Sequence, residues 1–208
     1  MSAVAAQRTV VLIDAQNAYM GARRVFFASD YPAPARPPTH CGQFHPLALA
    51  RLLVARTPGR ILHEAHVYRG RPNRHIDPRG HAANVRQSVV WAASGVQVHP
   101  RQLRYLGQSP TPSDGEEKGV DVEIAVALTS MSLRGAIDAA IVVSADTDLL
   151  PAIEEVQLRS NVAVEVAGWH NSTWGERIRR DGHPSLWCHW LARSDYDAVC
   201  DVTDYNIR

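Results

Sequence analysis

Aspartates stand where two strand-like runs of the sequence end. Asp14 and Asp146 close apolar, β-branched runs, Asp148 follows the second run, and Asp121 begins a helix-like segment ahead of that run. In an open α/β sheet the carboxyl ends of the strands and the amino ends of the helices share one edge, where ligands bind. We therefore predict that these aspartates converge, provided that the strands ending at Asp14 and Asp146 are neighbours.

A cluster of carboxylates in one cleft requires a cation, because like charges at short range repel strongly. A hard divalent ion such as Mg²⁺ takes oxygen ligands, keeps several waters and leaves room for a substrate phosphate. Such an ion activates water and stabilises the charge that develops on the phosphate. A single aspartate after a strand is more often a helix N-cap, and Asp148 fits that role. The joint placement of the aspartates is therefore what favours phosphodiester hydrolysis.

Strands alternate with helices along most of the chain. The periodicity predicts strands over 9–14, 60–70, 138–146 and 161–169, one or two short strands within 96–107, and helices over 45–57, 81–94, 118–135 and 149–160. This alternation predicts βαβ units and a parallel central sheet covered by helices on both faces. We expect one domain over residues 8–168, with a less regular C-terminal extension, 169–208, packed on it.

Composition sets limits on the class of protein. The chain has 208 residues and a formal net charge of +1, so any nucleic-acid surface must be local. Three cysteines without a CxxC pair argue against a disulfide framework and against a zinc ribbon. The sequence shows neither a secretory signal pattern nor an apolar run of membrane-spanning length. We expect a cytoplasmic protein with no membrane partner.

Three segments together resemble the NYN domain, a branch of the PIN-like nucleases. They are "VVLIDAQNAYM", "KGVDVEIAVAL" and "DAAIVVSADTDLLPAIEEV", in the order of that family. The resemblance spans about four-fifths of the chain and implies a PIN-like, Rossmann-like three-layer α/β fold with Mg²⁺- or Mn²⁺-dependent ribonuclease activity. It implies that the metal-binding residues are Asp14, Asp121, Asp146 and Asp148. The catalytic residues that it implies are these aspartates together with Asn17. Asn17 would orient a metal-bound water or a phosphate, and Ser144 would position Asp146.

One departure from the family pattern keeps a second hypothesis open. Many members of the family it resembles carry another acidic residue late in the helix that begins with K-G-x-D-V, where this chain has Ala127. Glu123 is nearby, but two residues after Asp121 it points to a different helix face. The alternative function is therefore an RNA-binding or regulatory module of the same fold with weak or no catalysis.

Arginines are concentrated where the second predicted strand ends. This segment and its surroundings predict contacts to single-stranded RNA, whose backbone needs positive charge and whose exposed bases offer hydrogen bonds and stacking faces. The expected RNA-binding residues are Arg69, Arg71, Asn73, Arg74, Lys118 and Ser144, with Tyr68 as a stacking surface. The sequence leaves open whether identical copies assemble.

Other classes of hydrolase and nucleotide-binding protein lack their key residues. Neither G-x-G-x-x-G nor G-x-x-x-x-G-K-[ST] occurs, which argues against a nucleotide-binding Rossmann protein. A haloacid-dehalogenase phosphatase needs a D-x-D pair after strand one, where this chain has Asp14, Ala15 and Gln16. No G-x-S-x-G nucleophile elbow occurs either.

Overall fold

Parallel strands form the centre of the molecule. The computed structural model describes residues 5–32, 34–35, 37–175, 177–178 and 186–207. Within those ranges the strands are β1 Gln7–Asp14, β2 Arg60–Arg71, β3 Gln97–Gln102, β4 Arg104–Tyr105, β5 Gly115–Glu116, β6 Ala139–Val143, β7 Ala163–Trp169 and β8 Cys188–Leu191. The main sheet has the order β3-β2-β1-β6-β7-β8, and all of its neighbouring strands are parallel. Strands β4 and β5 form a separate antiparallel pair.

Helices cover both faces of this sheet. They are α1 Ala15–Phe27, α2 Pro46–Ala55, α3 Pro78–Ala93, α4 Val120–Leu133, α5 Leu150–Arg159 and α6 Arg193–Val199, with 3-10 turns at Pro112–Asp114 and Thr147–Leu149. Side chains of α1, α2, α3 and α6 share one core cluster, whereas α4 and α5 pack into the cluster on the opposite face. The predicted three-layer α/β architecture is thus confirmed.

The central strands are apolar on both faces. Residues Val10, Val11, Leu12 and Ile13 have no exposed surface. Val11 and Ile13 pack towards α1 and α2, and Val10 and Leu12 pack towards α4 and α5. Each such side chain stabilises the fold by about 1.5–3 kcal/mol relative to an exposed one. The continuous apolar run is therefore explained by a strand that has no solvent face.

The strand order reverses between β1 and β6. Strands β2 and β3 lie to one side of β1, and β6, β7 and β8 lie to the other. Ile13 is paired with Val143 in the parallel register of β1 and β6, so the two strands end side by side. The strands that lead to Asp14 and Asp146 are thus neighbours, which was the condition for convergence of the aspartates, and this condition is confirmed. A reversal of this kind opens a ligand crevice at the carboxyl ends of the strands.

Several element boundaries differ from the prediction. Residues 15–27, to which the periodicity above assigned no element, form α1, which begins directly after β1 because Asp14 caps it. Helix α3 begins at Pro78, where Asp77 accepts a hydrogen bond from Gly80 N. The less regular C-terminal part contributes strand β8 to the sheet edge. In the described part of the chain, no helix is long and apolar enough to cross a membrane.

Candidate active site

Asp14 is held at the carboxyl end of β1 with 7% of its surface exposed. One carboxylate oxygen accepts a hydrogen bond of 2.9 Å from the backbone N–H of Asn17, which caps α1. Burial raises the pKa of Asp14 to about 6, and repulsion from Asp146 adds to the effect of burial while the hydrogen bonds from Asn17, Gln16 and Ser144 oppose it. Asp14 and Asp146 line the same cleft at this edge of the sheet, so their charges repel.

Asp146 lies beyond the end of β6 and caps the 3-10 turn that follows. It was predicted to end the strand itself, but β6 ends at Val143. Its carboxylate accepts from Asp148 N at 2.9 Å, and its own N–H donates to Ser144 Oγ at 3.1 Å. Asp146 thus stands between β6 and this turn, where it lines the same cleft as Asp14.

Ser144 and Asn17 hydrogen-bond to the loop that carries Asp146, next to the end of the strand that carries Asp14. Ser144 is 2% exposed, and its hydroxyl also lies within hydrogen-bonding reach of the Asp14 carboxylate. The side-chain oxygen of Asn17 accepts from Ala145 N at 2.9 Å and so ties α1 to the loop that carries Asp146. Ser144 was grouped with the RNA-contacting residues, but its burial makes it a support for the carboxylates instead.

Asp121 reaches the same edge from the first turn of α4. The residue before this helix, Gly119, has φ of +77°, and an added Cβ would meet the Arg101 guanidinium at 3.1 Å. A side chain at this position would be strained by the backbone conformation as well as by the contact. The glycine of K-G-x-D-V therefore lets the chain turn into α4 with Asp121 on the cleft side.

Glu117 is an acidic residue of this site that the sequence analysis missed. Its carboxylate accepts from Gly70 N at the end of β2, and a Cβ on Gly70 would lie 2.7 Å from Glu117 Oε1. Burial raises the pKa of Glu117 to about 7; the hydrogen bond from Gly70 and the charge of Arg69 oppose this, whereas the charge of Asp14 adds to it. The only sequence signal is the pair of glutamates, Glu116 and Glu117, directly before Lys118 in a polar segment.

One cleft of about 270 Å³ collects these carboxylates. Its acidic lining residues are Asp14, Glu117, Asp121 and Asp146, and Lys118 also borders it. Asp148 instead is exposed and faces an adjoining groove lined by Val122 and Val126. Three of the four predicted aspartates thus share a cleft, with Glu117 as an additional acid.

The donor set suits a hard cation. Within the described residues no three carboxylate, thiol or imidazole groups are clustered tightly enough to enclose a metal ion. Mg²⁺ needs only one or two protein carboxylates, since water and substrate phosphates complete its octahedron. Asp14 and Asp146 offer such an open pair, and an all-oxygen lining favours Mg²⁺ or Mn²⁺ over zinc.

Of the predicted RNA-binding cations, Lys118 lines the acidic cleft, whereas Arg69, Arg71 and Arg74 lie at the end of β2 and in the loop that follows. Arg69 places its guanidinium 4.6 Å from the centre of the Trp91 ring, and burial lowers the pKa of Arg69 to about 10. Lys118 and Arg74 are exposed, whereas Arg71 is half-buried, with its Nε lacking a hydrogen-bond partner within the described residues.

Two residues of the expected RNA surface are engaged in the fold itself. The side-chain oxygen of Asn73 accepts from His75 N at 2.9 Å and so shapes the loop after β2. Tyr68 was expected to stack on bases, but it is 2% exposed and stacks on His99 at 4.5 Å. Tyr68 therefore belongs to the core and not to a base-binding surface.

Comparison with known proteins links this geometry to a described family. A family model of the NYN domain matches residues 8–180. Among solved structures, a protein of unknown function from Vibrio parahaemolyticus is 21% identical, with a TM-score of 0.52 over 80% of this chain and 84% of that chain. At this identity the likeness concerns the fold alone. No curated protein matches the sequence at a significant level.

Proposed function

Because the chain belongs to the NYN domain family, whose members are generally PIN-like nucleases, we propose that it is a ribonuclease dependent on Mg²⁺ or Mn²⁺. The observation that carries the proposal is the pair Asp14 and Asp146, which line one cleft where, among the described residues, no arginine or lysine is hydrogen-bonded to either carboxylate. Partly buried carboxylates without a cationic partner destabilise a folded protein, and groups of this kind are concentrated at functional sites.

Each residue of the cleft has a part in the proposed reaction. Asp14 and Asp146 would hold the ion, with Glu117 and Asp121 available from the same lining. When bound, the ion would supply an activated water and charge stabilisation at the phosphate. Ser144 and Asn17 keep the two aspartates in register, since both bond to the backbone that carries Asp146. Lys118 is exposed at the rim, where it can attract a phosphate as a point charge.

We propose single-stranded RNA as the substrate. Arg71 and Arg74 lie at the end of β2 and in the loop that follows, and Lys118 lines the cleft, so positive charge is concentrated locally on a nearly neutral chain. Such a surface binds a phosphate backbone through counterion release. An unpaired strand can place its backbone in the cleft while its bases turn towards neighbouring pockets.

The alternative is an RNA-binding module of the same fold with weak catalysis. Its motivating feature is Ala127, which packs against the apolar core and leaves the later turns of α4 without an acid facing the cleft. Glu123 does not replace that acid, since it is ion-paired with Arg101. Glu117 favours the catalytic hypothesis, because it brings another carboxylate into the cleft from the preceding loop.

The direct test is cleavage of a labelled single-stranded RNA in Mg²⁺, in Mn²⁺ and in EDTA. Asp146→Asn protein prepared in the same way controls for contaminating ribonuclease. We expect cleavage with either ion, none in EDTA, and a loss of at least about a hundredfold in the variant. Equal cleavage by both proteins would refute the proposed active site, and binding without cleavage would support the alternative.

Asn17→Ala is expected to reduce the cleavage rate by about tenfold or more, because the loop carrying Asp146 loses its tie to α1. The free energy of unfolding should fall by only about 1 kcal/mol, the value of one hydrogen bond. Asn171→Ala is a matched control: its amide oxygen also accepts backbone N–H groups, but it lies in a turn that does not line the cleft. A normal rate in Asn17→Ala would contradict a positioning role for Asn17.

A further inference from the structure

A cavity of about 340 Å³ lies next to the acidic cleft and shares Glu117 with it. It is formed between α1, the end of β2 and α3, and its walls combine Tyr19, Phe44 and Trp91 with Gln43, Arg69 and Gln87. Its volume is within the range of small-ligand sites, about 300–1,000 Å³. A mostly apolar pocket with a few polar groups is the usual form of such a site.

Several residues that line this cavity have polar atoms without partners. Nε and Nη1 of Arg69, Nε1 of Trp91 and Oε1 of Gln43 are buried without a hydrogen-bond partner in the described part of the chain. The amide nitrogen of Gln43 donates to Thr39 O at 3.2 Å, which identifies the other amide atom as the unpartnered oxygen. Buried polar groups are nearly always hydrogen-bonded in folded proteins, and a group of exceptions at one cavity calls for a ligand.

The unpaired atoms describe the ligand by their chemistry. Arg69 and Trp91 offer N–H donors, and Gln43 offers an acceptor. Aromatic rings of Tyr19, Phe44 and Trp91 in the walls suit a flat ring. A heteroaromatic ring with an acceptor-rich edge satisfies both conditions, and guanine presents O6 and N7 side by side, the pair that an arginine binds best.

We propose that this cavity receives one unpaired nucleobase, preferably guanine, of the RNA strand whose backbone lies in the acidic cleft. The RNA strand in this inference rests on the proposed ribonuclease function. Glu117 borders both spaces, so the base and the phosphate would be close neighbours along one strand. Arg69 and Gln43 would then determine the base next to the site of cleavage.

Binding without cleavage tests the pocket on its own. The Asp146→Asn protein would be titrated calorimetrically in EDTA with the four nucleoside 5′-monophosphates and with pentanucleotide RNAs that differ only in their central base. We expect the guanine-containing probes to bind at least about tenfold more tightly than the cytosine-containing ones, with the pentanucleotide at least as tight as the mononucleotide. Absence of any base preference, or tight binding of the mononucleotide alone, would overturn the proposal.

Arg69→Met, added to Asp146→Asn, should remove the preference, because methionine keeps an unbranched apolar stem against Trp91 but has no N–H donors. Arg79→Met is the matched control, since Arg79 is an exposed arginine on the first turn of α3 that does not line the cavity. It should weaken all probes to a similar, smaller extent. Should Arg69→Met fail to fold, Gln43→Leu takes its place, because it removes the unpartnered acceptor, and it should reduce guanine binding at least about threefold. A retained preference in the folded variant would refute the pocket.

The pocket and the ribonuclease function can fail separately. Base-selective binding that depends on Arg69, in a protein that cleaves no RNA, would leave the pocket standing and reject the proposed function. Metal-dependent cleavage of RNA without any base preference at a fixed distance from the cut would support the ribonuclease function and reject the pocket.

Discussion

Asp14→Asn is expected to lower the rate of RNA cleavage by at least about a hundredfold while leaving the fold intact. Asparagine is as good an N-cap as aspartate, so the bond from Asn17 N to this side chain can persist. The neutral amide also removes the repulsion from Asp146 and the cost of burying a charge. Without metal at pH 7.5, the free energy of unfolding should therefore be unchanged or higher by up to about 2 kcal/mol.

Asp77→Asn is the matched control for this change. Asp77 also caps a helix, accepting from Gly80 N at 2.8 Å, but it does not line the acidic cleft. Its cleavage rate should stay within about twofold of the wild type, as expected for a change away from the reacting atoms. If Asp14→Asn protein unfolds, the carboxylate of Asp14 is structural; if it folds and cleaves RNA normally, the carboxylate is not part of the active site.

Glu165→Gln should have the opposite profile, a large loss of stability with little effect on the chemistry of the cleft. Arg60 donates two hydrogen bonds of 2.7 Å to the Glu165 carboxylate, and His189 Nε2 lies 2.6 Å from it. The side chains of Arg60 and Glu165 are only 6% and 13% exposed. Removing the carboxylate charge leaves a buried guanidinium unpaired, so we expect a loss of about 3 kcal/mol in the free energy of unfolding.

The pH dependence of the free energy of unfolding shows whether this loss comes from the charge of the Glu165 carboxylate. Burial by itself would raise the pKa of Glu165, but the hydrogen bonds from His189 and Arg60 outweigh it and lower that pKa to about 2. A carboxyl group whose pKa is lowered by folding stabilises the folded state when the pH is above the ordinary pKa of the group, about 4.3. This stabilisation is lost as the pH falls towards 2. The wild type should therefore lose more stability than Glu165→Gln over that interval.

Glu155→Gln controls for the chemical change itself. Glu155 pairs with Arg159 one turn along α5, where both side chains are largely exposed. The loss of an exposed pair of this kind should change the free energy of unfolding by no more than about 0.5 kcal/mol. If Glu165→Gln were as mild as Glu155→Gln, the buried ion pair would not be a principal stabilising contact.

Asp14 and Glu165 show which acidic residues sequence patterns can and cannot identify. Asp14 was predictable, because the run Val10–Ile13 is apolar at every position and a carboxylate directly after such a strand lies on the ligand edge. The adjacency of β1 and β6 could only be stated as a condition, since strand order depends on tertiary packing. Glu165 carried no signal, because its partner Arg60 lies 105 residues away.

The missed and displaced residues of the site have local explanations. Glu117 enters the cleft because Gly70 allows close approach of its carboxylate, a contact between distant segments that no periodicity records. Asp148 leaves the cleft because it lies two residues beyond Asp146 on a 3-10 turn, which rotates its side chain to the adjoining groove. Ser144 follows a fully buried strand, so its hydroxyl supports the carboxylates from within.

Binding of Mn²⁺, followed through the paramagnetic resonance signal of the free ion, tests the acidic cleft most directly and does not depend on ribonuclease-free protein. We expect the wild type to remove free Mn²⁺ from solution, Asp77→Asn to do so equally well, and Asp14→Asn to bind at least about tenfold more weakly. Equal binding by wild type and Asp14→Asn would contradict a metal site at the ends of β1 and β6.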